Sequence, residues 1–172
     1  VWALTNADRV DLSLNGRDLG SRVIPRGGHG EWFVRWEPGV LRAVGWKGGR
    51  KAAETVVETT GIPAALRVEP DGRGMSADGK DAVPVRISVV DSAGRVVPEA
   101  CPPVGLSVSG PARIIGLGNG DPSCHDPEKG GRVRAFNGLC LAILQSTGRR
   151  GTVTLAAHSP RLKAGRGRLA AR

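Results

Sequence analysis

The sequence predicts an all-β chain of two consecutive antiparallel β-sandwich domains, and three observations carry that prediction. Short apolar runs alternate with polar residues at period two, as in Val10-Asp11-Leu12-Ser13-Leu14, the pattern of a strand with one buried face. Glycine (26 of 172 residues) and proline (12) punctuate these runs without a periodic repeat, as turns do in an all-β chain. No long segment carries the 3.6-residue apolar period of a helix. The nearest competitor, Leu139–Leu144, is bounded at strand length by Gly138 and Gly148.

The first domain is expected over residues 1–62. Its strands read as Val1–Thr5, Val10–Leu14, Leu19–Ile24, Glu31–Trp36, Val40–Lys47 and Lys51–Thr60. Asn15-Gly16 predicts a type I′ hairpin turn, because both central residues of that turn need positive φ. Lys47-Gly48-Gly49-Arg50 predicts a second hairpin, and Pro25–Gly30 and Glu37-Pro38-Gly39 read as loops. Val1-Trp2 already reads as strand, so the chain is expected to be cut from a longer protein and this domain to be N-terminally incomplete.

The join falls near Gly61-Ile62-Pro63, where Pro63 interrupts strand pairing, and the second domain is expected over residues 63–172. It opens at Ala64–Pro70 and continues with strands at Val83–Asp91, Val104–Ser109, Ala112–Gly116, Arg132–Phe136, Leu139–Ser146 and Gly151–Ala157, with a last one over Gly165–Ala171. Asp91-Ser92-Ala93-Gly94 reads as a turn with Asp and Gly at favoured positions. Short strands at roughly 8–12-residue spacing are the signature of a sandwich.

Composition narrows the partners. No apolar run approaches the ~20 residues needed to span a bilayer, so no membrane partner is expected. The net charge of +9 raises nucleic acid as a partner. Against it, Arg9, Arg17, Arg35, Arg42, Arg67 and Arg86 are scattered singly between apolar residues, and local pairing goes no further than short steps such as Arg149-Arg150 and Arg166-x-Arg168. With no Tyr and two Phe there is little to stack bases on, so no nucleic-acid partner is expected. Cys101, Cys124 and Cys140 have no metal-ligand spacing. Cys140, inside Leu139–Ile143, reads as a small buried hydrophobe, and a bridge between Cys101 and Cys124 stays open.

Several blocks resemble one family. Thr5-Asn6-Ala7-Asp8, the alternating Val10–Leu14, Asn15-Gly16 and Leu19-Gly20 together resemble the accessory β-sandwich that follows the catalytic barrel in bacterial β-galactosidases of glycoside hydrolase family 2. Asp78–Pro98, Val108–Pro122 and Phe136–Gly148 resemble, in order and spacing, the invasin/adhesin-type immunoglobulin-like module of the same enzymes. The resemblance implies two consecutive immunoglobulin-like β-sandwiches of the non-catalytic C-terminal half, whose partner is a catalytic barrel absent from this chain. It also implies that the two catalytic glutamates lie in that barrel.

The candidate chemistry is correspondingly thin. A retaining glycosidase needs two carboxylates about 5–5.5 Å apart. Glu31, Glu37, Glu54, Glu58, Glu69, Glu99 and Glu128 all read as turn or surface carboxylates, so no catalytic residue is assigned. The loop Asn119–Glu128 is the one polar constellation; its spacing is not that of a calcium loop, and Asp121 is expected to cap backbone donors there. His125-Asp126 lacks a nucleophile in fixed relation to it. No metal and no cofactor is expected.

Among the tryptophans, Trp32 and Trp36 share a face with Val34 and are expected in the core. Trp2 is expected to pack between sheets or to cover an edge. Trp46, just before a hairpin turn, is the candidate carbohydrate contact. His29 and His158 have no partner visible in the sequence. The function expected is therefore an accessory region supporting a barrel, a cleft rim or assembly. The alternative is an independent carbohydrate-binding or surface-adhesion module, which a stripe of exposed aromatics or tandem copies of the second domain would favour.

Overall fold

In a computed structural model covering Val1–Arg172, the chain forms fifteen β-strands and no helix. It divides into two units, Val1–Thr59 and Thr60–Arg172.

Unit 1 holds β1 (Trp2–Leu4), β2 (Arg9–Leu14), β3 (Arg17–Val23), β4 (His29–Glu31), β5 (Val40–Lys47) and β6 (Arg50–Glu58). A four-stranded antiparallel sheet runs β3-β2-β5-β6, and β1 and β4 form a separate two-stranded ribbon. The period-two pattern of β2 does what alternation dictates: Val10, Leu12 and Leu14 are buried. The Asn15-Gly16 turn has φ of +53° and +79°, as the type I′ geometry requires. Asn15 also ties this turn to the loop before β5. Its Oδ1 accepts from the Val40 N–H at 2.8 Å and its Nδ2 donates to the Pro38 carbonyl at 3.1 Å. Gly39 is obligatory beside it, since a Cβ there would stand 1.8 Å from Asn15 Oδ1, at φ +141°.

One expected strand is much shorter than the sequence suggests. Of Glu31–Trp36 only Glu31 is in a strand, at the end of β4. Beyond it one more residue is tied to the first strand: Trp32 N–H donates to the Val1 carbonyl at 3.0 Å, and the Val1 amino group donates to the Trp32 carbonyl at 2.7 Å. With no ladder past that point, the alternation holds only as far as Val34 and is lost at Trp36. Trp32 is buried, with its indole N–H donating to the Gly20 carbonyl at 3.1 Å, and Val34 packs against the core. Trp36, expected beside them, is 76% exposed.

Unit 2 holds β7 (Ala65–Pro70), β8 (Gly74–Met75), β9 (Ala82–Val90), β10 (Pro103–Ser109), β11 (Ala112–Gly118), β12 (Arg132–Arg134), β13 (Leu139–Ser146), β14 (Gly151–His158) and β15 (Gly165–Ala171). One sheet runs β12-β10-β14-β15-β8 and the other β11-β13-β9-β7. The inward residues of both sheets form one core, with Val85, Val104, Ala142, Leu144, Val153, Leu155 and Ala157 wholly buried. β15 lies close against β7: a Cβ on Gly165 would meet the Leu66 carbonyl oxygen at 2.3 Å. That approach explains why the strand reads Gly-Arg-Gly-Arg, with nothing on its inner face and arginine on its outer one.

The Asp91 turn closes one end of unit 2. Its buried carboxylate accepts from the N–H groups of Ala93 and Arg95 through Oδ1, and from the Gly61 N–H and Arg95 Nε through Oδ2, all within 3.0 Å. These donors, the Gly61 N–H foremost, pull its pKa down to about 2.

Candidate functional site

The β1–β4 ribbon places an aromatic cluster on the outside of unit 1. In antiparallel register Trp2 faces Glu31, Ala3 faces Gly30 and Leu4 faces His29. Directly opposed residues share a face, so Ala3 and Gly30 point to the core while Trp2, Leu4, His29 and Glu31 point outward. Gly30 has room for nothing larger, because a Cβ would meet the Trp32 ring at 2.7 Å. Trp2 is therefore not between sheets. It is 65% exposed, its ring centroid lies 4.9 Å from that of His29, and its Nε1 donates to Glu31 Oε1 at 2.9 Å. Leu4 is 80% exposed and Phe33, two residues past Glu31, is 99% exposed. Of the two places expected for Trp2, between sheets or over an edge, the first is excluded, because a ribbon this narrow buries only one residue of β1. Phe33 was legible in principle: it is out of phase with Trp32, which the pattern places inward.

Trp46, the carbohydrate candidate, is half-buried on the solvent side of the four-stranded sheet. It is paired with Arg9 across β2 and β5, and the Arg9 guanidinium sits 5.1 Å from the ring centroid. Arg9 is in turn held by Asp11 at 3.0 Å. Asp11 lies in a shallow depression with Ser13, Asp18, Ser21 and Arg42. Its carboxylate accepts from the Ser21 hydroxyl at 2.5 Å, and that bond first, with Arg9 behind it, keeps its pKa below the usual carboxylate value. Arg9, Asp11 and Ser21 are thus paired with one another, whereas the Trp46 indole N–H is buried without a hydrogen-bond partner.

The remaining candidates resolve into structure. In the 119–128 loop, Asp121 Oδ1 accepts from the Ser123 N–H at 2.9 Å and hydroxyl at 2.7 Å, while Asn119 Oδ1 accepts from the Asp121 N–H at 3.0 Å. Asp121 thus caps local donors, and no group of three His, Cys, Asp or Glu converges on a metal-sized site anywhere in the chain. All three cysteines are free thiols. Cys140 is buried, and burial pushes its pKa up to about 12, which keeps it protonated and inert. Glu54 is held at about 2 by Arg42 and then Lys51, an ion-pair cluster on the exposed edge strand rather than a catalytic carboxylate.

Residues 66–167 match the family described as glycoside hydrolase family 2 C-terminal domain 5, and residues 1–53 match a domain of unknown function, DUF4982. The chain is 35% identical over 165 residues to the β-galactosidase BoGH2A of Bacteroides ovatus, covering 95% of this chain and 19% of that protein. It is 31% identical over 175 residues to a β-glucuronidase of Formosa agariphila, covering 95% and 17% respectively. Among solved structures, a β-glycosidase from Bacteroides vulgatus superposes with a TM-score of 0.91 at 28% identity, over 96% of this chain and 21% of that one. A family 2 glycosyl hydrolase from Bacteroides cellulosilyticus does so with a TM-score of 0.91 at 25% identity, over 97% and 22%. The chain spans about a fifth of the length of these relatives. It belongs to glycoside hydrolase family 2, as a non-catalytic C-terminal region of such an enzyme.

Proposed function

We propose that the chain buttresses the catalytic barrel of a longer glycoside hydrolase acting on β-galactosides or β-glucuronides, and that the outward face of the β1–β4 ribbon is where it packs. The observation that carries this reading is the exposure of Trp2 and Leu4 on the outward face of the ribbon, with Phe33 exposed just past its end. Isolated exposed apolar residues are ordinary, but several large ones on one short ribbon mark a contact surface. The names of the relatives supply the substrate class. The partner on this reading is protein, with no part for nucleic acid or membrane. A sugar contact at Trp46 belongs to it only at about millimolar strength or weaker, because Arg9 already lies against the ring.

The experiment has two arms. The purified chain, given chromogenic β-galactosides, β-glucuronides and β-mannosides, should give no turnover above a matched blank. In the longer enzyme, Trp2→Ser with Leu4→Ser should lower the Tm of the catalytic part while leaving unit 2 unchanged. Turnover by the chain alone, or an unmoved Tm, would refute the reading.

A further inference from the structure

The strand order of unit 2 gathers arginines that are far apart in sequence onto one sheet face. Inward positions of β12-β10-β14-β15 are filled by Val133, Val104, Leu106, Val153, Leu155, Ala157 and Leu169. The outward positions are then Arg132 and Arg134 on β12, Ser107 and Ser109 on β10, Thr152, Thr154 and Ala156 on β14, and Arg166 and Arg168 on β15. The register sets Ser107, Ala156 and Arg166 in one row and Ser109, Thr154 and Arg168 in the next. Arg132 begins a third row through Gly105 to His158. There the His158 ring lies over Gly105, where a Cβ would stand 2.2 Å from Nε2.

No strand position on this face is acidic. All four arginines are exposed, and none is in an ion pair. Unit 2 as a whole carries 16 basic and 9 acidic side chains, a net +7, against 9 and 7, a net +2, in unit 1. Arginines two apart on a strand are spaced by about 7 Å, and β12 and β15 stand about 14 Å apart across two intervening strands. The face is therefore a floor of small residues, four of them hydroxylated, flanked on β15 by Arg166 and Arg168 and continued past the Ser107 row by Arg132 and Arg134 on the Gly105 and Pro103 rows.

We infer that this face binds an extended carboxylated polysaccharide. Guanidinium forks pair bidentately with carboxylates. The serine and threonine hydroxyls both donate and accept, which matches sugar hydroxyls. A floor of small side chains several rows long suits a chain lying across it rather than a single ring. Apart from His158 the face has no ring on which bases could stack, which separates this ligand from a nucleic acid. The inference goes beyond the buttressing role and uses a different unit and surface, so either can fail alone.

Affinity electrophoresis of the 172-residue chain tests it, with polygalacturonate, neutral galactan or duplex DNA cast in the gel. The expected result is retardation by polygalacturonate, none by galactan, and less by DNA. Arg132→Gln with Arg134→Gln, and separately Arg166→Gln with Arg168→Gln, should each weaken it about tenfold. The variant with Arg86→Gln and Arg113→Gln, which removes the same charge from the other sheet, should bind as the parent chain does. All six side chains are exposed, and circular dichroism confirms that each variant is folded. Absence of retardation, equal loss in the other-sheet variant, or tighter binding to DNA would each overturn the inference.

Discussion

Unit 2 encloses a cluster of 23 buried side chains between two full sheets, whereas unit 1 encloses a cluster of four between a four-stranded sheet and a two-stranded ribbon. Both units are written in the same alternating pattern. In β9 the inward residues Val83, Val85, Ile87 and Val89 all meet the opposite sheet. In β6, a nine-residue strand, every residue is exposed, although Val57 lies opposite Leu41 and so on the side where the core should be. The lesson is that alternation defines a face but does not supply what covers it. A domain of about 60 residues is already marginal when complete. Unit 1 has an uncovered sheet half and an outward-facing aromatic ribbon, so its stability is expected to come from neighbours.

The sharpest way to break this contrast is to separate the units. Thr60–Arg172 expressed alone should unfold cooperatively in denaturant, and Val1–Thr59 alone should show no cooperative transition. A sigmoidal melt from the smaller piece would remove the contrast. Core truncation comes next. Leu144→Ala, at a wholly buried site of unit 2, should cost about 3–5 kcal/mol, because the surrounding sheets cannot collapse onto the cavity. Leu12→Ala, buried under the narrow ribbon, should cost about 2–3 kcal/mol, because that layer can relax. Chemical denaturation of the intact chain, followed by probes in each unit, measures both.

A smaller effect concerns pH. The Asp91 carboxyl is lowered from an ordinary 3.8 to about 2 in the folded chain, so its stabilisation is fully present above the unfolded value and is lost as pH falls from about 4 towards 2. Asp91→Asn should lower the Tm of unit 2 by several degrees at neutral pH and by progressively less on acidification, the two curves meeting only below the folded-state value of about 2. A Tm difference that does not change with pH would contradict the role given to this carboxylate. The smallest expected effect is at Trp46. Calorimetric titration of the chain with galactose or lactose should give no saturable heat below about millimolar concentration, and Trp46→Ala should change nothing. Micromolar binding abolished by that substitution would make this region a carbohydrate-binding module in its own right.

Much of the fold was legible because its signals are local. Asn15-Gly16 fixes its own turn geometry, and the alternation in β2, β9 and β13 survives because each has a partner strand on both sides. The cap at Asp121 was legible for the same reason, since its acceptors and donors lie two residues apart. The candidate surfaces were not legible, because each depends on pairings between distant segments. Trp2 and Trp36 are exposed since the ribbon is narrow and its ladder ends just past Glu31, which no spacing in the sequence states. Arg132 and Arg134 form one Arg-x-Arg pair, and nothing in the sequence ties them to the other one. They share a face with Arg166 and Arg168 only because the sheet order is β12-β10-β14-β15.

The most direct test of the contrast between units is amide hydrogen exchange on the intact chain. Amides in β9, β13 and β14 should exchange only through global opening of unit 2, the slowest in the molecule, while those of β6 and of the β1–β4 ribbon should exchange orders of magnitude faster through local opening. Protection of β6 and the ribbon equal to that of β13 would contradict the account, because it would mean that unit 1 is closed and stable by itself.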